Sequence, residues 1–151
     1  MRTLPLLLAL CVAGCGESEN DAQVADALRP ANAERAPDRA DAMPVRIGEM
    51  GPNFDACGGV GTTRRLSPGS ALPVRAAPFE AAAETGAIAA DGRFFVCTRS
   101  HDQRWLGVVW DQSGMLGEGC GVSSPIAARR LYEGPCRSGW VASALVKLVA
   151  G

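Results

Sequence analysis

The chain has 151 residues, a formal net charge of −1, six cysteines, three tryptophans and a single histidine. That length holds one small domain, and so balanced a charge, without a concentrated basic stripe, argues against a nucleic-acid-binding surface or a polybasic patch for lipid headgroups. Gly and Pro, at 18 and 10 residues, punctuate the sequence too densely for long helices.

The first twenty residues read MRTLPLLLALCVAGCGESEN. Arg2 is a positive start, residues 4–12 are about as long as a secretory apolar region, and small residues then lead to Cys15. The run is shorter than the roughly 20 apolar residues that span a bilayer. Val12-Ala13-Gly14-Cys15 resembles a bacterial lipobox, with a plain signal peptide cut after a small residue as the alternative. The resemblance implies a signal peptide over residues 1–14 and a diacylglyceryl thioether on Cys15, with the several acyl chains that stable anchoring requires. Cys11 falls in the discarded piece. Gly16, where an Asp is associated with inner-membrane retention, favours an outer-membrane destination facing the periplasm.

Residues 15–53 read as a lipid-anchored tether, rich in Ala, Asp, Glu, Arg and Pro, with no aromatic residue or sustained apolar face. Pro30 and Pro37 limit any helix started near residues 22–28. As a flexible coil the segment spans roughly 35 Å, and fully extended on the order of 130 Å. Residues 16–53 hold four Arg against eight Asp and Glu, net −4, whereas residues 54–151 hold ten Arg and Lys against eight acids, net +2. The tether is acidic and the domain mildly basic.

Residues 54–151 are expected to form the domain, mostly as strand. Four runs stand out: ALPVRAAP at residues 71–78, RFFVCTRS at 93–100, WLGVVWD at 105–111, and the GWVASALVKLV ending. HDQR joins the second and third as a loop of hairpin length. Alternation puts Trp105, Gly107 and Val109 on one face of the third strand and Leu106, Val108 and Trp110 on the other. Both faces are apolar, so this strand is either covered twice or shows one face to a partner.

In order and spacing, LPVRAAP, TGAIAADGRFFVC, RWLGVVW and SGWVASALVKL resemble a bacterial SH3-like (SH3b) domain over residues 71–149. The resemblance implies a mainly β fold, a small SH3-like barrel in which Gly139-Trp140-Val141 is a late strand, residues 142–144 a single 3₁₀ turn and LVKLV the last short strand. The sequence departs from that family at residues 111–138, a long insertion where a tight hairpin is usual. Loops this long are uncommon unless functional or cross-linked. After cleavage four cysteines remain besides Cys15, which allow three pairings. Cys120 with Cys136 would close the insertion, and Cys57 with Cys97 would staple the segment before the first strand to the second; this is the pairing expected.

Catalytic readings find little support. Cys97 with His101 could be nucleophile and base, but that chemistry also needs a third, orienting group and His101 is the only histidine, so a disulfide-bonded strand cysteine beside an exposed loop histidine is the reading preferred. No Cys-x-x-Cys pair suggests zinc, and CGGVG at residues 57–61 lacks the Lys-Ser/Thr ending of a phosphate loop and reads as a turn. Asp91, Asp102 and Glu118 read as solvated or capping residues, and no cofactor or metal is implied. The binding candidates are Arg75, Trp105, Trp110, Tyr132 and Trp140, which could form a groove of rings and guanidinium for an extended peptide or a carboxylate-bearing stem peptide. The expectation is a non-catalytic envelope lipoprotein, its oligomeric state open with a monomer as the default. It would bind a cell-wall peptide, peptidoglycan or an envelope protein; the alternative is an accessory or inhibitor that acts on an envelope enzyme through residues 111–138.

Overall fold

The computed structural model describes residues 41–150, so the expected signal peptide, Cys15 and most of the expected tether lie outside the described residues. Nine strands are described: β1 (Arg46–Ile47), β2 (Gly59–Thr63), β3 (Ala71–Arg75), β4 (Glu84–Ala89), β5 (Arg93–Arg99), β6 (Trp105–Trp110), β7 (Arg130–Leu131), β8 (Arg137–Ala142) and β9 (Val146–Ala150). Glu118–Cys120 and Ser143–Leu145 are single 3₁₀ turns, the second one residue later than the sequence suggests. The domain is mainly β, as expected, and the four runs become β3, β5, β6 and the β8–β9 ending.

Seven strands form one antiparallel sheet in the order β4-β3-β8-β6-β5-β2-β9, and β1 pairs with β7 in a second, two-stranded sheet. β6 lies in the middle, paired to β5 and β8. Its alternation divides the core. Trp105 and Val109 join Phe95, Cys97 and Trp140 on one face; Leu106, Val108 and Trp110 join Phe94, Val96 and Val141 on the other. Every residue of β6 is buried, so of the two options left by the sequence, cover on both sides is the one realised.

The two covers differ. On the Leu106 face the ends of the large sheet supply Leu72 and Val74 from β3, Ile88 from β4 and Val146 from β9. Side chains from both ends of the ladder therefore reach one cluster, yet β4 and β9 do not pair. The closed barrel is thus not formed: half-buried Leu66 and Leu145 complete the cluster in place of a closing strand pair. On the Trp105 face the cover comes from outside the sheet, with Val45 and Ile47 from the N-terminal side, Ala56 and Cys57 before β2, and Cys120 and Val122 from the insertion.

That second cover corrects two expectations. The fold does not start at Phe54, because Val45 and Ile47 are fully buried and Tyr132 N–H donates to Val45 O at 2.9 Å. Nor is CGGVG a turn: Gly59 opens β2, which pairs with both β5 and β9. The insertion runs alongside residues 46–57, through the β1–β7 pair and hydrogen bonds from Ala56 N–H to Ser124 O and Cys57 N–H to Val122 O. The two segments thus make a lid that satisfies part of its own backbone, as burial demands.

Both expected disulfides are present, Cys57–Cys97 and Cys120–Cys136. The first ties the lid to β5 at a bulge, where Val96 and Thr98 face Val108 and Gly107 with Cys97 unpaired between them. Gly107 is needed there, since a Cβ would stand 2.5 Å from Thr98 Cγ2. Gly139 has the same role where β3 crosses β8: a Cβ would stand 2.4 Å from Val74 Cγ1 and 2.9 Å from the Arg75 carbonyl. This explains the Gly-Trp-Val step, with Trp140 buried toward the lid and Val141 toward the opposite cluster.

The disulfides span 40 and 16 residues. Chain-entropy arguments give about 4 and about 3 kcal/mol for loops of these sizes. Replacing Cys57 and Cys97 together by Ala is expected to cost more in urea unfolding than replacing Cys120 and Cys136. Gly139→Ala should cost about 1–3 kcal/mol by overpacking β3 against β8.

Candidate functional site

The expected ring-and-guanidinium groove is not assembled. Trp105, Trp110 and Trp140 are only 4–5% exposed and belong to the two core clusters. Trp140 also fastens the lid, its indole N–H donating to Met43 O at 2.6 Å. Trp110 lies on the opposite face against Gly86 of β4, where a Cβ would stand 3.1 Å from its ring. Arg75 is half-buried and donates from Nη1 to Ala82 O at 3.0 Å, which holds the β3–β4 loop. All four are accounted for by packing and backbone satisfaction.

Tyr132 is likewise structural. Its hydroxyl donates to Cys120 O at 3.1 Å and accepts from Cys136 N–H at 3.0 Å, so it bridges the backbone of the two cysteines it lies between. Burial pushes the phenol above its ordinary value, opposed by the Cys136 N–H, and the hydroxyl keeps the proton it donates through neutral pH. Gly134 makes room for the ring, because a Cβ would stand 2.5 Å from the phenol oxygen.

The candidates for chemistry are also engaged. Cys97 is bonded to Cys57 and carries no thiol for His101 to activate. Asp102 caps the β5–β6 turn, accepting from the Ser100 hydroxyl at 2.5 Å and from Arg104 N–H at 3.1 Å. The Ser100 bond first, then the Arg104 N–H, hold its carboxyl below the usual range. The Asp91 N–H donates to Thr63 Oγ1 at 2.7 Å at the tip of the β4–β5 turn, where its φ of 62° fits an Asx residue in the left-handed region. Among the described residues no group of three or more His, Cys, Asp or Glu could hold a metal ion, and no helix is long and apolar enough to cross a membrane.

A cavity of about 770 Å³ opens where β2 begins and β5 and β9 end. These ends coincide because β2 runs antiparallel to both neighbours. Gly58 and Gly59 bring no side chains to this point, and the space is walled by Val96 to Arg99 of β5, Leu148 and Val149 of β9, and Glu49 and Met50 of the lid. Met50 leans over Gly58 so closely that a Cβ there would collide with its methyl. Met50, Leu148 and Val149 are 52%, 48% and 45% exposed, an apolar rim that nothing covers among the described residues. β9 has β2 as its only ladder neighbour, so its outer edge is free among the described residues.

Sequence reasoning missed this place because it is made by glycines. The available signal was the ending VKLVA: Val146 is buried but Leu148 and Val149 are not, the register slipping between Val60 and Gly61 opposite Val149. No protein-family model, curated protein or solved structure matches the chain.

Trp110→Ala is expected to cost about 3–5 kcal/mol of stability, the range for a large aromatic truncated in a core. Tyr132→Phe should cost about 1–3 kcal/mol by leaving Cys120 O and Cys136 N–H without their shared partner. Both losses are read in urea unfolding, and wild-type stability for Trp110→Ala would return that ring to the list of binding residues.

Proposed function

We propose that the chain is a non-catalytic binding protein of the bacterial cell envelope. A lipid on Cys15 holds it to a membrane, the acidic tether spaces the domain from that membrane, and the domain captures an envelope polypeptide. The observation that carries the reading is the cavity of about 770 Å³ between the ends of β5 and β9, rimmed by exposed Met50, Leu148 and Val149 beside a free strand edge. Apolar side chains left in water next to unpaired backbone groups suit an extended chain that adds main-chain hydrogen bonds at the edge and buries alternate side chains in the cavity.

Two further features support the setting. All four cysteines of the domain are paired in disulfides, which persist in oxidising compartments, and the N-terminal residues resemble a lipobox. The absence of catalysis rests on the engagement of Cys97 and Asp102 in structure. The accessory or inhibitor reading through residues 111–138 is the weaker one. The insertion turns Cys120 and Val122 into the core, and among its apolar side chains Met115 and Leu131 are left largely exposed.

Cys15→Ser is expected to move the protein from the membrane to the soluble periplasmic fraction and to abolish palmitate labelling; unchanged membrane association would remove the lipid anchor. In cells, a photo-crosslinking residue at Leu148 or Met50 should yield an adduct with an envelope polypeptide, and one at Met115 should not. Adducts from Met115 alone would move the site to the insertion.

A further inference from the structure

We infer that the Cys57–Cys97 disulfide is a redox switch for the capture cavity: the bond holds the cavity in shape, and thiol–disulfide exchange with an envelope dithiol protein abolishes that shape. This rests on the capture reading and adds its regulation. The bond stands where two walls of the cavity of about 770 Å³ meet. Gly58 and Gly59 follow Cys57, Val96 and Thr98 flank Cys97, and all four line the space together with Cys97 itself. Cys120–Cys136 is placed differently. Neither of its cysteines lines that cavity, and it joins two points of the insertion to each other.

What the bond restrains is the stretch that leads into β2. Of residues 49–55 only Gly51 is half-buried, and the rest are exposed. This loop is closed at its neck, where Gly48 N–H donates to Ala56 O at 2.7 Å. Before the neck, Val45 and Ile47 are fixed by burial in the core. After it, backbone bonds from Ala56 and Cys57 reach the insertion and not β5, and Gly58 alone separates Cys57 from β2. A glycine there is a hinge, and the bond to β5 stops it. Glu49 and Met50 wall the cavity from this loop, and Met50 lies against Gly58, so a turn at Gly58 displaces wall and floor together.

The exchange balances as a two-electron transfer. A donor thiolate attacks Cys97 Sγ from the cavity, Cys57 leaves as a thiolate and takes a proton from water, and a mixed disulfide joins the donor to Cys97. The donor's second thiolate then attacks its own bonded sulfur and releases Cys97. The donor ends as a disulfide and the chain as two thiols.

The test titrates the secreted chain carrying Cys15→Ser with dithiothreitol, each bond being followed by alkylation and mass. Amide hydrogen exchange over residues 48–58 is expected to speed by at least about tenfold as Cys57–Cys97 opens, with β6 and β8 unchanged. Cys57→Ala with Cys97→Ala should reproduce that pattern, and Cys120→Ala with Cys136→Ala should leave residues 48–58 protected. In cells, at equal protein level, the photo-crosslinking residue at Leu148 should lose its adduct in the first pair and keep it in the second. Protection lost throughout β6 and β8 overturns the switch and makes the bond a staple of the whole domain. Unchanged protection over residues 48–58, an adduct that survives loss of the bond, or equal losses in both pairs overturns the coupling of this bond to the cavity. Alkylation of cells that finds Cys57–Cys97 fully oxidised at every stage of growth overturns the reversible exchange. Absence of the Leu148 adduct in the wild type overturns the capture reading itself, while hydrogen exchange still decides whether the bond governs the cavity.

Discussion

A strand built as Trp-Leu-Gly-Val-Val-Trp has no face to offer water, and in β6 each face ends in a tryptophan. An antiparallel sheet ordinarily resolves this by burying one side and solvating the other with polar residues. β6 has none. Exposing the Trp105 face would leave Val109, Phe95 and Trp140 in water with it. At roughly 1.5–3 kcal/mol for each such side chain, the loss approaches the whole net stability of about 5–15 kcal/mol typical of a domain. A second cover is therefore a condition of folding, and the insertion together with residues 43–57 provides it.

Ordering those two irregular segments carries a large entropy cost, about 1–2 kcal/mol per residue of backbone, and the lid is held by several independent devices. Val45, Ile47, Cys120 and Val122 bring apolar area. The β1–β7 pair and the Ala56 and Cys57 backbone bonds satisfy the lid internally. Trp140 and the Cys57–Cys97 bond fix its N-terminal part to the sheet, and Tyr132 with Cys120–Cys136 fixes the turn of the insertion upon itself. The disulfides act mainly on the unfolded chain, by removing conformations before the lid has to form. Residues that sequence reasoning takes for a ligand groove thus belong to the machinery that closes the core. Aromatic rings suit both tasks for the same reason, a large rigid apolar area.

What was legible in the sequence follows from how much pattern each element carries. β6 has six residues with an unbroken alternation, and its two-faced burial could be read directly. The four cysteines had three pairings, narrowed by the need to close a long insertion, and the favoured one is present. β1 has two residues, and Ile47 with the preceding Val45 is the whole apolar signal there, inside an acidic, Pro-containing stretch, too short a period to separate from a tether. Barrel closure was implied by motif order, but motifs specify strands and not whether the first and last of them meet. The cavity was least legible of all, since Gly58 and Gly59 create it by lacking side chains, and hydropathy patterns record what is present.

The cavity and the lid are not separate features. Glu49 and Met50 belong to the lid, Cys97 to the bulge of β5, and all three wall the same space. The bond that holds the lid to the sheet is therefore also part of the wall of the candidate site. Reduction would loosen residues 43–57 at the point where they meet β5, and the cavity would lose its shape at a smaller perturbation than the Leu106 face, whose cover comes from the sheet itself. Local stability in proteins is graded in this way, with binding surfaces drawn from the less stable end. A site framed by a disulfide-stapled lid holds its geometry where the disulfide persists, and that is the oxidising compartment in which the proposed ligand would be met.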